Sequence, residues 1–377
     1  MATKPDVLVI GGGIIGLTSA YFLAKTGLSV EVIDKGDLGR EASWAGAGII
    51  PPGWHPELTS NPFDRLRAAS VRRFNTLSAE LLEDSGISNE YHQSGGVEFL
   101  REDELSMTHR WDAERIFYLR LSDDQSRRTA RTFVKPPGVV AFLLPFHQVR
   151  NPLHMAALIE ACRRRRVVLR PNTPFGWWDR VARAVVPVAA DGTRKPAGAY
   201  LVCAGAWADE VLGPLGCHLG VRPVRGQIVL FNPERVLFKR ILIVGKRYLV
   251  PRLDGRVLAG STEEPEAGFE KANTPEGVRG LIDFAHTLVP GLRAAAVEKT
   301  WSGLRPGSPD EMPFIGSVPG CDAVFASVGH FRAGVQLSVG TAEMVRDLVL
   351  RQPTEVPAEP FRLDRPPADP VRPTFRS

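Results

Sequence analysis

Two arginines and a histidine late in the sequence could bind an anion. Arg305 stands between two apolar residues, where a cation costs free energy unless it is paired. His330 and Arg332 stand between two glycines in the stretch GHFRAG, directly after the apolar run 324–328. A strand that ends there would deliver a cation into a binding site. An ordinary turn with solvated side chains is the alternative.

A glycine-rich turn near the start of the sequence has the spacing of a dinucleotide-binding fold. The stretch GGGIIG (11–16) follows a short apolar run and precedes a helical pattern, and Asp34 ends a second strand-like run. Gly11 permits the tight turn, Gly13 lets the backbone approach a pyrophosphate, and Gly16 lets the helix pack close to the strand. The helix N-terminus would bind phosphate, and Asp34 would accept a hydrogen bond from a ribose 2′-hydroxyl, which disfavours NADP.

The residues after Asp34 favour FAD over NAD. An NAD enzyme usually continues with alternating strands and helices, whereas this chain continues with small residues over 42–49. Small residues let the backbone lie against a large flat ligand, and Ser43 can donate to a phosphate. A later apolar strand with a small-residue turn, at 199–207, would complete the nucleotide-binding sheet. A flexible loop at 42–49 is the alternative.

Composition argues against several other classes of protein. The 377 residues are enough for two domains, and a net charge of +5 is small for that length. The four-arginine run 163–166 ends a helical pattern, where cations favour the helix dipole, and no nucleic-acid module accompanies it. The four cysteines lack disulfide or metal-ligand spacing, and three glycines interrupt the apolar run 7–24. We therefore expect a cytoplasmic protein without a metal, a nucleic-acid partner or an integral membrane segment.

Seven motifs resemble, in order and spacing, those of the D-amino-acid-oxidase-like FAD-dependent oxidoreductases. Within that family they are most similar to the glycine oxidase group of the thiamin pathway. The resemblance extends roughly from Asp6 to Leu350. The motifs are GGGIIG (11–16), ASWAGAGI (42–49), AGAW (204–207), PVRGQ (223–227), YLVPRLDGRVLAGST (248–262), WSGLRPGSPDEMPFIG (301–316) and GHFRAG (329–334).

The resemblance implies a noncovalent FAD and a set of residues that contact it. The covalent-flavin branch carries a cysteine where this chain has Trp301. Phe175 is bulkier than the aliphatic residues that are usual at its position. The implied contacts are Gly11, Gly13, Ile14, Ile15, Gly16, Asp34, Lys35, Ala42, Ser43, Ala47, Gly48, Ile49, Phe175, His330, Phe331, Arg332, Ala333, Gly334 and Val335.

The resemblance also implies that Tyr248, Arg305 and Arg332 bind the substrate carboxylate. A guanidinium can grip a carboxylate through two parallel hydrogen bonds, and a phenol adds a third donor. The family's more usual GHYRNG is here GHFRAG, so Phe331 and Ala333 lack a hydroxyl and an amide that could bear on substrate choice. No residue is assigned as a certain catalytic group. Hydride transfer needs no general base, so a structural or flavin-contacting role is expected for the histidine of this motif.

The expected fold is α/β, with an FAD-binding Rossmann-like domain of three ββα layers interleaved with an antiparallel-sheet α+β substrate domain. The FAD-binding domain would comprise residues 1–85, 145–220 and 305–350. The substrate domain would comprise residues 86–144 and 221–304. The proline-rich residues 351–377 are expected to form an extended or flexible tail.

The expected function is oxidative deamination of glycine or another small amino acid by hydride transfer to flavin. The products would be the oxo acid, ammonia and hydrogen peroxide, with oxygen or another electron acceptor as the second substrate. The resemblance further implies a homo-oligomer. The alternatives are a sarcosine, D-proline or D-amino-acid dehydrogenase that reduces a quinone, and a non-catalytic flavin-binding subunit. The predicted carboxylate clamp, formed by Tyr248, Arg305 and Arg332, argues against a non-catalytic subunit, because such a subunit has no need to bind a substrate carboxylate.

Overall fold

The computed structural model describes residues 4–122, 124–125, 133–181, 184–370 and 373–375. Its helices include α1 (Ile14–Lys25), α2 (Ala42–Ala45), α3 (Pro62–Ser85), α4 (Met107–Ala113), α5 (Asn151–Arg164), α6 (Ala208–Leu212), α7 (Pro275–Leu288) and α8 (Gly334–Val349). Its strands include β1 (Val7–Ile10), β2 (Val30–Ile33), β3 (Ile49–Ile50), β4 (His92–Gln93), β5 (Gly96–Arg101), β6 (Leu119–Leu121), β7 (Val139–Leu144), β8 (His147–Gln148), β9 (Val168–Arg170), β10 (Phe175–Val181), β11 (Ala184–Ala189), β12 (Ala199–Val202), β13 (Arg222–Asn232), β14 (Ile241–Val244), β15 (Arg247–Pro251), β16 (Val257–Gly260), β17 (Ala296–Gly307), β18 (Phe314–Val318) and β19 (Cys321–Val328).

A six-stranded sheet forms the first half of the molecule, in the order β18-β19-β12-β1-β2-β9. Its pairs are parallel except β18–β19, which is antiparallel. Every residue of β1 is buried, as an unbroken apolar run in a parallel sheet requires. Helices α1, α3, α5 and α8 share a core with one face of the sheet, and the β10–β11 hairpin packs on the other face. The predicted three layers are therefore present.

An eight-stranded sheet forms the second half, in the order β17-β13-β16-β15-β14-β5-β7-β6. Its pairs are antiparallel except β14–β5, which is parallel, so the predicted antiparallel sheet has one parallel pair. Helix α7 covers one face and buries Leu281, Ala285 and Leu288, which recur at helical spacing. The Thr274 hydroxyl accepts a hydrogen bond from the Gly277 N–H at 3.1 Å and so caps this helix.

The described residues of the tail pack against the rest of the molecule. Phe361 is fully buried, and the Arg365 guanidinium makes two hydrogen bonds of 2.8 Å to the carboxylate of Asp310. Phe375 is also buried and stacks on Trp111, with 5.9 Å between ring centroids. The expected extended or flexible tail does not fit these contacts, because its few apolar residues fall where they can be buried. Residues 371, 372, 376 and 377 of the tail lie outside the described residues.

The tail also completes a buried ion cluster. Arg67 is fully buried, and its guanidinium pairs with Asp64 at 2.9 Å and with Glu114. The Thr374 hydroxyl donates to one of these carboxylates while its N–H donates to Asp64. The cluster joins the start of α3 to the end of α4, and thus one element from each half of the molecule.

The predicted α/β fold, with a Rossmann-like half joined to a sheet-rich half, is confirmed. The predicted domain boundaries are not tested by these strand pairings and stay a prediction; residues 1–3, 123, 126–132, 182 and 183 of those ranges lie outside the described part of the chain. Within the described part, no helix is both long and apolar enough to cross a membrane.

Candidate active site

The glycine-rich turn lies between the end of β1 and the start of α1. Gly11 has φ +113°, and a Cβ there would lie 2.3 Å from the carbonyl oxygen of Cys203 at the end of β12. A Cβ at Gly16 would lie 1.9 Å from the Gly11 oxygen. Only glycine therefore allows the turn and the close approach of helix to strand that the sequence predicts. The Ser43 hydroxyl accepts a 2.8 Å hydrogen bond from the Ile14 N–H at the helix N-terminus.

Asp34 is held at the end of β2 by backbone groups. One carboxylate oxygen accepts from the Gly12 N–H at 2.7 Å, and the other accepts from the Gly36 N–H at 2.9 Å. Burial raises the pKa of Asp34, and these two N–H groups oppose that rise. Each oxygen keeps a lone pair that could accept from a ribose hydroxyl, so the residue suits its expected role.

Lys35 and Trp207 form a pair beside Asp34 that the sequence did not predict. The Lys35 ammonium lies 3.0 Å from the centroid of the Trp207 ring, and burial lowers the pKa of this lysine. Trp207 also stacks on Phe269, with 5.4 Å between ring centroids. The AGAW motif predicts the turn that ends a strand of the nucleotide-binding sheet and supports the family resemblance, but it does not by itself predict that Trp207 lines a cavity.

The small-residue segment lies between the two sheets and is fixed from both sides. The Trp301 indole donates to the Ala45 carbonyl at 3.1 Å, and the Asn151 amide donates to the Ser43 carbonyl at 2.7 Å. A Cβ at Gly303 would lie 2.6 Å from the Ala45 Cβ. The segment is thus an ordered wall rather than a flexible loop.

These elements enclose a cavity of about 450 Å³. It is lined by all the predicted cofactor and substrate residues except Gly16 and Ala333, which lie behind its wall. The predicted residues that line it are Gly11, Gly13, Ile14, Ile15, Asp34, Lys35, Ala42, Ser43, Ala47, Gly48, Ile49, Phe175, Tyr248, Arg305, His330, Phe331, Arg332, Gly334 and Val335.

Tyr248 and Arg305 reach the cavity from the eight-stranded sheet. Tyr248 lies on β15 and Arg305 on β17, and glycines on neighbouring strands make room for them. A Cβ at Gly226 would lie 2.1 Å from the Arg305 guanidinium, and one at Gly260 would lie 2.5 Å from the Tyr248 ring. The sheet therefore places a phenol and a guanidinium side by side at one end of the cavity.

The Arg305 guanidinium is held by neutral acceptors. It donates to the Ser261 hydroxyl at 2.7 Å and to the Thr262 carbonyl at 3.1 Å. Burial lowers the pKa of Arg305 to about 10, and the nearby Arg332 cation acts in the same direction. Because this pKa is still well above 7, Arg305 stays protonated at neutral pH. It has no ion-pair partner among the residues that the structure describes. A cation of this kind attracts an anionic ligand.

Arg332 follows the turn that ends β19, and its cation is already paired. Gly329 and Phe331 have φ +76° and +45°, and the Phe331 N–H donates to the Pro306 carbonyl at 2.9 Å. The Arg332 guanidinium donates to the Glu263 carboxylate at 2.8 Å and to the Lys246 carbonyl at 3.1 Å. Arg332 is at the site as predicted, whereas Glu263 was not predicted; its only signal in the sequence is a pair of acids directly after the GST (260–262) that ends one of the seven motifs.

His330 is buried at the cavity wall. Its Nε2 lies 3.1 Å from the Thr341 hydroxyl, whereas its Nδ1 is buried without a hydrogen-bond partner among the described residues. Burial lowers the pKa of His330 to about 3, so the imidazole is neutral at physiological pH. An unpartnered buried nitrogen in a cavity wall, with the glycine turn and the Asp34 carboxylate, fits a large ligand with polar edges such as FAD.

Comparison with known proteins gives consistent matches over nearly the whole chain. The family described as DAO, FAD dependent oxidoreductase, matches residues 6–348. A glycine oxidase of Pseudomonas aeruginosa is 34% identical over 361 residues, which are 93% of this chain and 97% of that protein. The crystal structure of glycine oxidase from Geobacillus kaustophilus superposes with a TM-score of 0.89 at 29% identity, over 97% of this chain and 100% of that one. The iminodiacetate oxidase of Chelativorans sp. BNC1 superposes with a TM-score of 0.85 at 26% identity, over 94% and 98%.

Proposed function

The chain belongs to the DAO family of FAD-dependent oxidoreductases, and we propose that it oxidatively deaminates glycine or another small amino acid. The family and the glycine oxidase relatives identify the chain as an FAD-dependent oxidoreductase that acts on amines, without naming its substrate. The observation that supports this proposal is the part-buried Arg305 guanidinium beside Tyr248, without a carboxylate partner among the described residues. A substrate carboxylate would supply the missing charge.

The residues around the cavity suit a noncovalently held FAD. Backbone N–H groups at the start of α1 would face the phosphates, and the Asp34 carboxylate would accept from the ribose. Ser43 lies next to that helix N-terminus and can donate its hydroxyl proton. His330 and Arg332 would line the ring system from the α8 side. FAD, when bound, supplies a two-electron acceptor for the substrate's α-hydrogen.

The side chains of the clamp would bind and orient the amino acid. Arg305 would grip the carboxylate, and the Tyr248 hydroxyl would donate a further hydrogen bond. Fixing the position and plane of the carboxylate narrows the directions that the Cα–H bond can take, and positioning of this kind can contribute several kcal/mol, about 7–11 in well-oriented systems. His330, neutral and buried, serves structure or cofactor contact rather than proton abstraction. Overall, amino acid, oxygen and water would become oxo acid, ammonia and hydrogen peroxide.

An anaerobic screen of small amines tests this proposal. Purified yellow enzyme would be mixed with glycine, sarcosine, D-alanine, D-proline or iminodiacetate, the last because one structural relative is named for it. We expect glycine or sarcosine to bleach the flavin absorbance, and air to restore it with formation of one peroxide per cycle. Bleaching without reoxidation by air, but with reoxidation by a quinone, would support the dehydrogenase alternative. No bleaching by any amine would contradict the proposal. A thiamin-pathway role and a homo-oligomeric state stay predictions.

A further inference from the structure

Four charged side chains meet at the end of the cavity next to Tyr248. Arg305 and Arg332 line the cavity, whereas Glu263 and Lys246 lie behind Arg332. One oxygen of the Glu263 carboxylate accepts from the Arg332 guanidinium, and the other accepts from the Lys246 ammonium. The Glu263 side chain is 23% exposed and that of Arg332 is 13% exposed, so water screens their ion pair only in part.

The two arginines therefore differ in what they can offer a ligand. Arg305 donates to a hydroxyl and carbonyls, which carry no net charge, and it has no carboxylate partner among the described residues. Arg332 donates to a carboxylate, which compensates its charge. Lys246 is 63% exposed, so its charge is largely screened by solvent. The two arginines and Glu263 together carry one net positive charge, and one substrate carboxylate would neutralise it.

Resting on the function proposed above, we propose that Glu263 is a specificity-determining residue that limits the site to amines with a single carboxylate. Glu263 acts through Arg332, because it pairs with that guanidinium. Among the described residues, Arg332 is the only cation besides Arg305 that lines this end of the cavity. A second carboxylate on the substrate would have to displace Glu263 from Arg332 or share that guanidinium with it. Either arrangement is unfavourable, because like charges repel and a displaced Glu263 would keep only the exposed Lys246 as its partner.

Glu263 is charged in the pH range of such a test. Burial alone would raise the pKa of Glu263, but the Lys246 hydrogen bond and the Arg332 cation outweigh burial and lower it below its usual value. The Glu263 carboxylate also interacts electrostatically with Arg305, because its negative charge raises the pKa of that guanidinium. Replacing the carboxylate by an amide of the same shape removes the negative charge and turns one of its two accepting oxygens into an N–H donor, so the hold on Arg332 or on Lys246 is lost as well.

The test compares Glu263→Gln with the native enzyme on two pairs of compounds that differ only by one carboxylate. Sarcosine and iminodiacetate are the reactive pair, compared by kcat/KM for flavin reduction. Methoxyacetate and diglycolate are their ether analogues, which cannot form an imine, compared by Kd from calorimetry on FAD-loaded protein. We expect native enzyme to favour the monocarboxylate in both pairs. Glu263→Gln should shift both ratios toward the dicarboxylate by about tenfold or more, as expected for one charge at partly buried ion-pair distance.

Glu266→Gln is the matched control. Glu266 lies exposed in the same loop, and its substitution changes the net charge by the same amount. It should leave both ratios unchanged. Unchanged ratios in Glu263→Gln, with sarcosine still oxidised, would overturn the role of Glu263 and leave the proposed function standing. A shift in the ether ratio without flavin reduction by any amine would support Glu263 and overturn the proposed function. If Glu266→Gln shifted both ratios as much as Glu263→Gln does, the effect would be one of net charge, and the specific role of Glu263 would be overturned.

Discussion

The two ends of the cavity are built in different ways. The cradle around the glycine turn uses backbone N–H groups and small residues from one stretch of sequence, residues 11–49, with Asp34 as its main charged group. The clamp uses the side chains of Tyr248, Arg305 and Arg332, which come from three separate places in the sequence. The cradle depends on the absence of side chains, and the clamp depends on their charge.

This difference separates cofactor binding from substrate binding. A side chain added in the cradle should displace the backbone that faces the phosphates, and colour and stability should be lost together. A side chain removed from the clamp should leave the yellow cofactor in place and weaken substrate binding only. Substitutions at the two ends therefore test whether the ends act independently.

Gly11→Ala should have the largest effect. Its Cβ would lie 2.3 Å from the Cys203 carbonyl oxygen, and φ +113° is unfavourable for any other residue. We expect loss of flavin absorbance and a decrease of about 3 kcal/mol or more in the free energy of unfolding. Flavin content per protein and urea unfolding measure these effects. Gly36→Ala is the control, because its Cβ would meet no atom within 4 Å. Full flavin content in Gly11→Ala would contradict the cradle.

Arg305→Ala should have the next largest effect, on substrate binding alone. Loss of the part-buried guanidinium should raise KM by about 100-fold, since truncating one partner of a charge pair that is buried in the complex costs about 2–5 kcal/mol. Flavin content should stay at the native level. Arg247→Ala is the control, because Arg247 is exposed on the same strand as Tyr248. An unchanged KM in Arg305→Ala would mean that Arg305 does not bind the substrate carboxylate. Loss of flavin absorbance in this variant would mean that cofactor binding depends on the clamp.

The sequence predicted the cradle better than the clamp. The cradle residues are close in sequence, and the spacing of GGGIIG to Asp34 reports a local strand–turn–helix–strand unit. Tyr248 was assigned to the clamp only through resemblance to a family, whereas the apolar neighbours of Arg305 and the glycines around Arg332 were local signals of a binding site, though not of a shared one. Glu263 was missed because its pairing with Arg332 joins residues 69 apart in sequence. Trp207 was missed as a cavity residue because its contact with Lys35 arises only when β12 packs in the sheet.

Tyr248→Phe should raise KM by a smaller factor than Arg305→Ala. Removing a neutral donor to a charged carboxylate costs about 1.5–3 kcal/mol, or roughly 12-fold in binding at the lower end of that range. Flavin content and unfolding should not change, because the ring still fills the space beside Gly260. Steady-state kinetics with the substrate found in the screen measures the effect. A loss as large as that of Arg305→Ala would mean that the phenol does more than donate to the carboxylate.

His330 should affect stability in acid and hardly affect catalysis at neutral pH. Its folded pKa of about 3 lies below the ordinary 6.5, so the unfolded chain binds the proton first as pH falls. The neutral histidine therefore lowers stability progressively from about pH 6.5 down to its folded pKa, by at most about 1.4 kcal/mol per pH unit. His330→Gln should flatten that decline in Tm against pH, whereas His55→Gln, at an exposed position, should not. An equally steep decline in His330→Gln would contradict the assignment.

The buried ion cluster at Arg67 bears on the order in which the chain matures. Asp64, Arg67 and Glu114 emerge from the ribosome long before Thr374, the residue that donates two hydrogen bonds to the cluster's carboxylates. Before Thr374 is in place, Arg67 is a partner of both carboxylates, and only the oxygens that Thr374 later bonds are left to water. The contact between the start of α3 and the end of α4 is therefore completed only after residue 374 has been synthesised, about 260 residues beyond Glu114 in the sequence.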